Sequence, residues 1–211
     1  MKNRILILSP HTDDAELGCG GSICKLIEEN NELFWIVFST AEGSLPADMP
    51  KDTLIKEFVS VADYLGLSAN NYMINNFEVR KLSEKRQEVL ELLVKVRNEY
   101  KPNLVIGPSL NDYHQDHIVV ANEMVRAFKM NSSIICYELP WNQVSFNSQL
   151  FIKLNDGHME RKVKMLLQYK SQMYLNRHYF SENFIKGLAY TRGAQVGSVF
   201  AEAFEVIRWI Q

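Results

Sequence analysis

Three of the five histidines in this 211-residue chain fall in two short acidic stretches. One reads Pro10-His11-Thr12-Asp13-Asp14-Ala15-Glu16, the other Asn111-Asp112-Tyr113-His114-Gln115-Asp116-His117. His11 and Asp14 are three apart, so one helix-like turn brings an imidazole and a carboxylate to the same point. A histidine from the second stretch would complete a set of two imidazoles and one carboxylate, with an open position for water. That is the composition of a catalytic zinc site, or of another divalent transition metal that accepts nitrogen and oxygen. Residue types alone leave His114 and His117 both open as that third ligand. Asp13 stands next to Asp14 but must point elsewhere, which frees it as a general base toward water whose pKa a metal has lowered to about 7. The remaining histidine is placed to meet a developing oxyanion. Asp116 can hydrogen-bond an imidazole of its own loop, or cap the helix starting near His117.

These residues need a scaffold, and the hydropathy pattern supplies one. Short β-rich runs at Arg4–Ser9, Leu33–Ser39, Asn71–Ile74, Asn103–Gly107 and Ser133–Glu138 alternate with helical stretches. The helices are expected over Gly18–Asn30, Lys51–Leu65 (closed by Gly66), a stretch capped by Ser83 and stopped by Pro102, and His117–Phe128. Alternating βα units predict an α/β fold, a Rossmann-like, mainly parallel sheet flanked by helices. Both acidic stretches then follow strands, at the carboxyl ends where open sheets bind ligands. Beyond Leu139 the expectation is a strand at Leu150–Leu154, helices at Gly157–Gln172 and Glu182–Ala194, and a last strand at Ala203–Ile210, all within one domain, 1–211. The Gly18-x-Gly20-Gly21 run opens a helix whose bare N–H groups favour a nearby anion. It lacks the third glycine of a dinucleotide fingerprint, since Ile23 stands there.

Composition narrows the function classes. Lys+Arg 23 against Asp+Glu 25 leaves a net charge of −2, no surplus for a phosphate backbone, so nucleic acid is not an expected partner. The longest apolar run, Leu33–Phe38, falls far short of the roughly 20 residues of a membrane span, and the one behind Arg4 is too short for a signal peptide. Cys19, Cys24 and Cys136 form no Cys-x-x-Cys, and Cys19 and Cys24 are read as small buried residues. The expectation is a cytoplasmic protein.

Pro10-His11-Thr12-Asp13-Asp14 followed by Leu17-Gly18-Cys19-Gly20-Gly21 resembles the first motif of the LmbE-like, or PIG-L-type, N-acetylglucosaminyl deacetylases. His114-Gln115-Asp116-His117 resembles the family's second motif. The likeness continues through Ala41-Glu42-Gly43, Tyr169-Lys170-Ser171-Gln172, Arg192-Gly193 and Ala201-Glu202-Ala203-Phe204. It implies a zinc-dependent hydrolase that removes the acetyl group from an N-acetylated amino sugar or its conjugate. It assigns His11, Asp14 and His117 as metal ligands, Asp13 as general base, and His114 as oxyanion stabiliser with Asp116 as its partner. It also implies a small-molecule substrate and allows a homo-oligomer. Thr12 replaces the family's usual proline, Ala15 precedes Glu16 where Glu usually comes first, and Asn75-Asn76-Phe77-Glu78 lacks a common aspartate. The alternatives are an amidase acting on another sugar-linked amide, such as a thiol conjugate, or a non-catalytic sugar binder on the same fold.

For the remaining polar and aromatic residues the plain readings come first. His158 and His178 suit packing or surface roles, Arg80 and Arg192 the surface, and Lys81–Arg86 a solvated helical turn. Tyr113, Tyr137 and Trp141 suit the core or a sugar-stacking wall equally well. The stretch Leu139–Ser181 is expected to form part of the pocket rim.

Overall fold

The computed structural model describes residues 2–210. Residues Ile5–Leu8 of β1 (Arg4–Ser9) are fully buried. Ile5 and Ile7 join the apolar cluster on one side of the sheet, Leu6 and Leu8 the cluster on the other. A strand covered on both faces reads as an unbroken apolar run, which is why this one is legible from its side chains alone.

Chain order continues through α1 (Asp14–Glu28), β2 (Glu32–Val37), α2 (Thr53–Tyr64), β3 (Tyr72–Ile74), α3 (Arg86–Tyr100), β4 (Leu104–Gly107), α4 (Gln115–Phe128) and β5 (Ser133–Tyr137). Then come β6 (Leu150–Leu154), α5 (Asp156–Leu166), α6 (Lys170–Tyr174), α7 (Glu182–Ala194) and β7 (Phe200–Arg208). The seven strands form one sheet in the order β3-β2-β1-β4-β5-β7-β6. β1 to β5 are parallel, and β7 runs antiparallel to both neighbours. This is the mainly parallel, Rossmann-like arrangement expected. β1 pairs with β2 on one side and β4 on the other, so the loops leaving β1 and β4 open side by side where the strand order diverges.

Several expected boundaries move. The helix expected from Gly18 begins at Asp14, which places Asp14 in its first turn. It is broken at Cys19 (φ −146°, ψ 26°). At the break Gly21 N–H and Ser22 N–H donate to the two carboxylate oxygens of Glu202 on β7, at 3.0 and 2.6 Å. Lys162 Nζ donates to the Leu17 carbonyl at 2.7 Å and to Glu202 at 2.6 Å. The anion expected at this glycine-rich helix start is therefore a side chain of the protein. Gly18 is required by contact, since a Cβ there would lie 2.5 Å from the buried Tyr137 ring.

The helix expected over Gly157–Gln172 is two, α5 and α6, separated where Tyr169 turns into the core. Ser83 lies inside a 3-10 turn, Leu82–Lys85, and does not cap α3. Asp116 is likewise not the cap of α4. The helix starts at Gln115, and His114 Nδ1 accepts the Asp116 N–H at 3.2 Å. Gly66 (φ 75°) follows α2 as expected.

Candidate metal centre and active site

The β1–α1 and β4–α4 loops bring His11, Asp13, Asp14, His114 and His117 to one cavity of about 340 Å³. Three side-chain atoms of metal-ligating type meet in it. His117 Nε2 lies 3.2 Å from His11 Nδ1 and 3.1 Å from Asp14 Oδ2, and His11 Nδ1 lies 3.2 Å from the same Asp14 oxygen. The far nitrogen of each imidazole is held by a carboxylate. His11 Nε2–H donates to Asp116 Oδ2 at 3.0 Å, and His117 Nδ1–H donates to Asp112 Oδ2 at 2.7 Å. In a neutral ring each pairing selects the tautomer that turns a lone pair inward.

Two nitrogen lone pairs and a carboxylate oxygen repel one another in so small a triangle unless a ring proton or a cation sits among them. Ligands about 2.0 Å from a tetrahedral ion lie about 3.3 Å apart, so the triangle and its ligand chemistry fit a zinc-type ion. His11, His114 and His117 also qualify as a cluster, with their ligand atoms all within 4.8 Å. The His114 ring, however, spends its Nδ1 lone pair on the Asp116 N–H. A neutral ring so used carries its proton on Nε2 and is a hydrogen-bond donor there.

The electrostatics follow the same division. Burial disfavours a charged His117, but the Asp14 charge and the bond to Asp112 outweigh it and raise its pKa to about 10. His11 is raised in the same way, against burial, by Asp116 and Asp14. Asp14 lies well below the ordinary carboxylate range, because the His117 and His11 charges overcome its burial. Burial and then the His117 and His11 charges push His114 down to about 4, so it is neutral near pH 7. Burial and then the neighbouring Asp14 charge push Asp13 up to about 6. Its carboxylate takes no part in capping α1 and lines the cavity.

The rest of the wall comes from Leu17, Ala41, Ser44, Leu54 and Val79, and from the later stretch as Trp141, Asn142, Gln172, Arg177 and Tyr179. A profile described as GlcNAc-PI de-N-acetylase, PIG-L, matches residues 6–128, more than half of the chain. The chain belongs to the PIG-L family. The Escherichia coli (strain K12) protein described as uncharacterized deacetylase YaiS is 24% identical over 172 residues, 79% of this chain and 90% of its own. The N,N'-diacetylchitobiose deacetylase of Pyrococcus horikoshii superposes with a TM-score of 0.81 at 19% identity, covering 97% of this chain and 84% of that one. GalB, the 4-carboxy-2-hydroxymuconate hydratase of Pseudomonas putida KT2440, does so at 0.79 and 18%, covering 100% and 98%. At these identities the two structures share the PIG-L fold with this chain and nothing finer.

The structure gathers all six residues singled out in the sequence, but it changes one partnership. The Asp116 carboxylate does not hold His114. It crosses to His11 of the other loop and also accepts the N–H groups of Arg80 (2.7 Å) and Leu82 (3.2 Å). The reason is helical geometry: Asp116 lies in the first turn of α4 with its side chain turned inward, fully buried, while only its backbone N–H reaches back to His114. Asp112, the carboxylate that orients His117, had no role assigned from sequence. Its signal was present as an aspartate five residues before His117.

Among the aromatics, Trp141 lines the cavity, Tyr137 is core with its hydroxyl on the Leu8 carbonyl, and Tyr113 is exposed. His158 caps α5 with Asn155 and meets Glu28, and His178 is exposed. Arg192 is clamped by Glu138, a partnered position in place of the open surface one expected.

Proposed function

We propose that this protein is a metal-dependent hydrolase, with zinc the best-suited ion, that removes the acetyl group from an N-acetylated amino sugar or its conjugate. The observation that carries the reading is the triangle of His11 Nδ1, Asp14 Oδ2 and His117 Nε2, bordered by an uncapped carboxylate and a neutral histidine. His11, Asp14 and His117 would hold the ion. Such an ion acts as a Lewis acid and lowers the pKa of water to about 7.

The chain's own groups do the rest. Asp13, raised toward neutrality, accepts a proton from the attacking water. The resulting Asp13 acid then returns that proton to the departing amine. His114, neutral and with Nε2–H free, donates to the carbonyl oxygen as its negative charge grows. Asp112 and Asp116 are positioning residues: they act through the rings of His117 and His11. The products are acetate and a free amino sugar.

The test is acetate release from N-acetylglucosamine and its conjugates by purified protein, with metal content measured on the same sample. Metal-loaded protein that yields no acetate but cleaves another sugar-linked amide would overturn the acetyl assignment. Protein that cannot take up an ion would overturn the mechanism and favour a sugar binder.

A further inference from the structure

Arg177, in the connection between α6 and α7, is the one lysine or arginine among the described residues lining the cavity. Its guanidinium hydrogen-bonds the Tyr179 hydroxyl and lies 5.8 Å from the centroid of the same ring. Tyr179 is itself fixed, stacked on Trp141 with centroids 4.1 Å apart and planes 10° from parallel. Phe184 packs against Trp141 at 5.8 Å and 62°. The cation is therefore presented by a braced aromatic wall.

Elsewhere in the chain's later half, the half-buried Arg192 is clamped by the Glu138 carboxylate. The side chain of Arg177 bonds a neutral phenol, which leaves most of its N–H fork free. A planar guanidinium of this kind matches the two oxygens of a phosphate or carboxylate.

We propose that the substrate is an amino-sugar conjugate carrying an anionic group, phosphate or carboxylate, which docks on Arg177 while its acetamide lies over His11, Asp14 and His117. This rests on the deacetylase reading and names its substrate class. Charge sets the orientation. Arg177 attracts the anion to the wall, which leaves the acetamide end to the floor. Asn142 and Gln172, which line the same cavity, offer amides to the sugar hydroxyls between the two ends.

Calorimetric binding to the metal-loaded full chain tests this, with Asp13→Asn as background to halt turnover. The probes are N-acetylglucosamine, N-acetylglucosamine 1-phosphate and N-acetylmuramic acid. At least one anionic probe should bind about tenfold or more tighter than the neutral sugar, and which one does so separates phosphate from carboxylate. Arg177→Met should bring that ratio close to one. Equal binding of all three probes overturns the proposal, as does a ratio that survives Arg177→Met. An equal loss for all three probes in that variant also overturns it, because the guanidinium would then be bracing the wall or Asp13. Acetate release by the unmutated protein is scored separately, so an intact anion preference without acetate would sink the deacetylase reading and leave the anion site standing.

Discussion

His11 and Asp14 announce themselves by spacing, and their neighbours divide the chemistry by what else they touch. Asp13→Ala is expected to keep the metal and lose turnover by about 100-fold or more, read by elemental analysis beside acetate release. His114→Gln should likewise retain the ion and slow kcat by about 100-fold through loss of the oxyanion donor. Asp112→Asn and Asp116→Asn should show the reverse pattern, weakening metal affinity by about 10- to 100-fold as the imidazoles lose their orientation; a chelator competition measures it. A general base at Asp13 would work only as a carboxylate, so the rate is expected to fall as pH drops through its pKa. That value is about 6 in the protein alone, and a cation beside it favours the charged form and moves it lower. The acid limb of kcat/KM should therefore lie at or below about 6 on metal-saturated enzyme, and a limb near or above about 7 would assign it to another group. The two histidine-bearing loops were legible because metal chemistry requires few residue types at short spacings, although the choice between His114 and His117 came only from the family resemblance. The carboxylates behind them were not, because a hydrogen bond such as Asp116 to His11 joins residues 105 positions apart.

α1 shows the same limit for a whole element. The strands could be read because apolar runs such as Ile5–Leu8 are buried on both faces, and Gly66 and Pro102 mark where helices stop. The break at Cys19 could not. Its free N–H groups are answered by Glu202, 180 residues from Ser22, and its free carbonyl by Lys162. Lys162 and Glu202 are both buried, so Lys162→Met strands a carboxylate in the interior and leaves the Leu17 carbonyl without its partner. A loss of about 3–5 kcal/mol in urea unfolding is expected. Lys162 bonds none of His11, Asp14 and His117 and meets the cavity wall only at the Leu17 carbonyl, so any fall in metal affinity would show that the kink sets the direction of the Asp14 turn. α5 and α6 were read as one helix because Leu166, Leu167 and Tyr169 continue an apolar pattern, and nothing local says that Tyr169 leaves it to bond the Thr12 carbonyl and Glu16.

At the scale of the whole molecule the strand order determines what the site can be. β1 and β4 are neighbours although β2, β3 and three helices separate them in the chain. Two loops some hundred residues apart thus meet at the divergence of the sheet, and an ion held between them would tie both together. Removing it should lower the melting temperature by about 10 °C, from about 4 kcal/mol of linkage at a thousandfold excess of metal over Kd; calorimetry before and after chelation reads it. The mainly parallel character of the sheet followed from alternation, whereas the strand order and the reversed direction of β7 did not, because an apolar run carries no sign of its neighbours or of the direction in which it is laid. That reversed strand brings Glu202 to the start of the second half of α1. During synthesis, the loop that leaves the ribosome first is therefore completed last. A nascent chain that has emerged only through Phe128 already contains His11, Asp14 and His117, yet Gly21 and Ser22 must wait for a carboxylate that has not been translated.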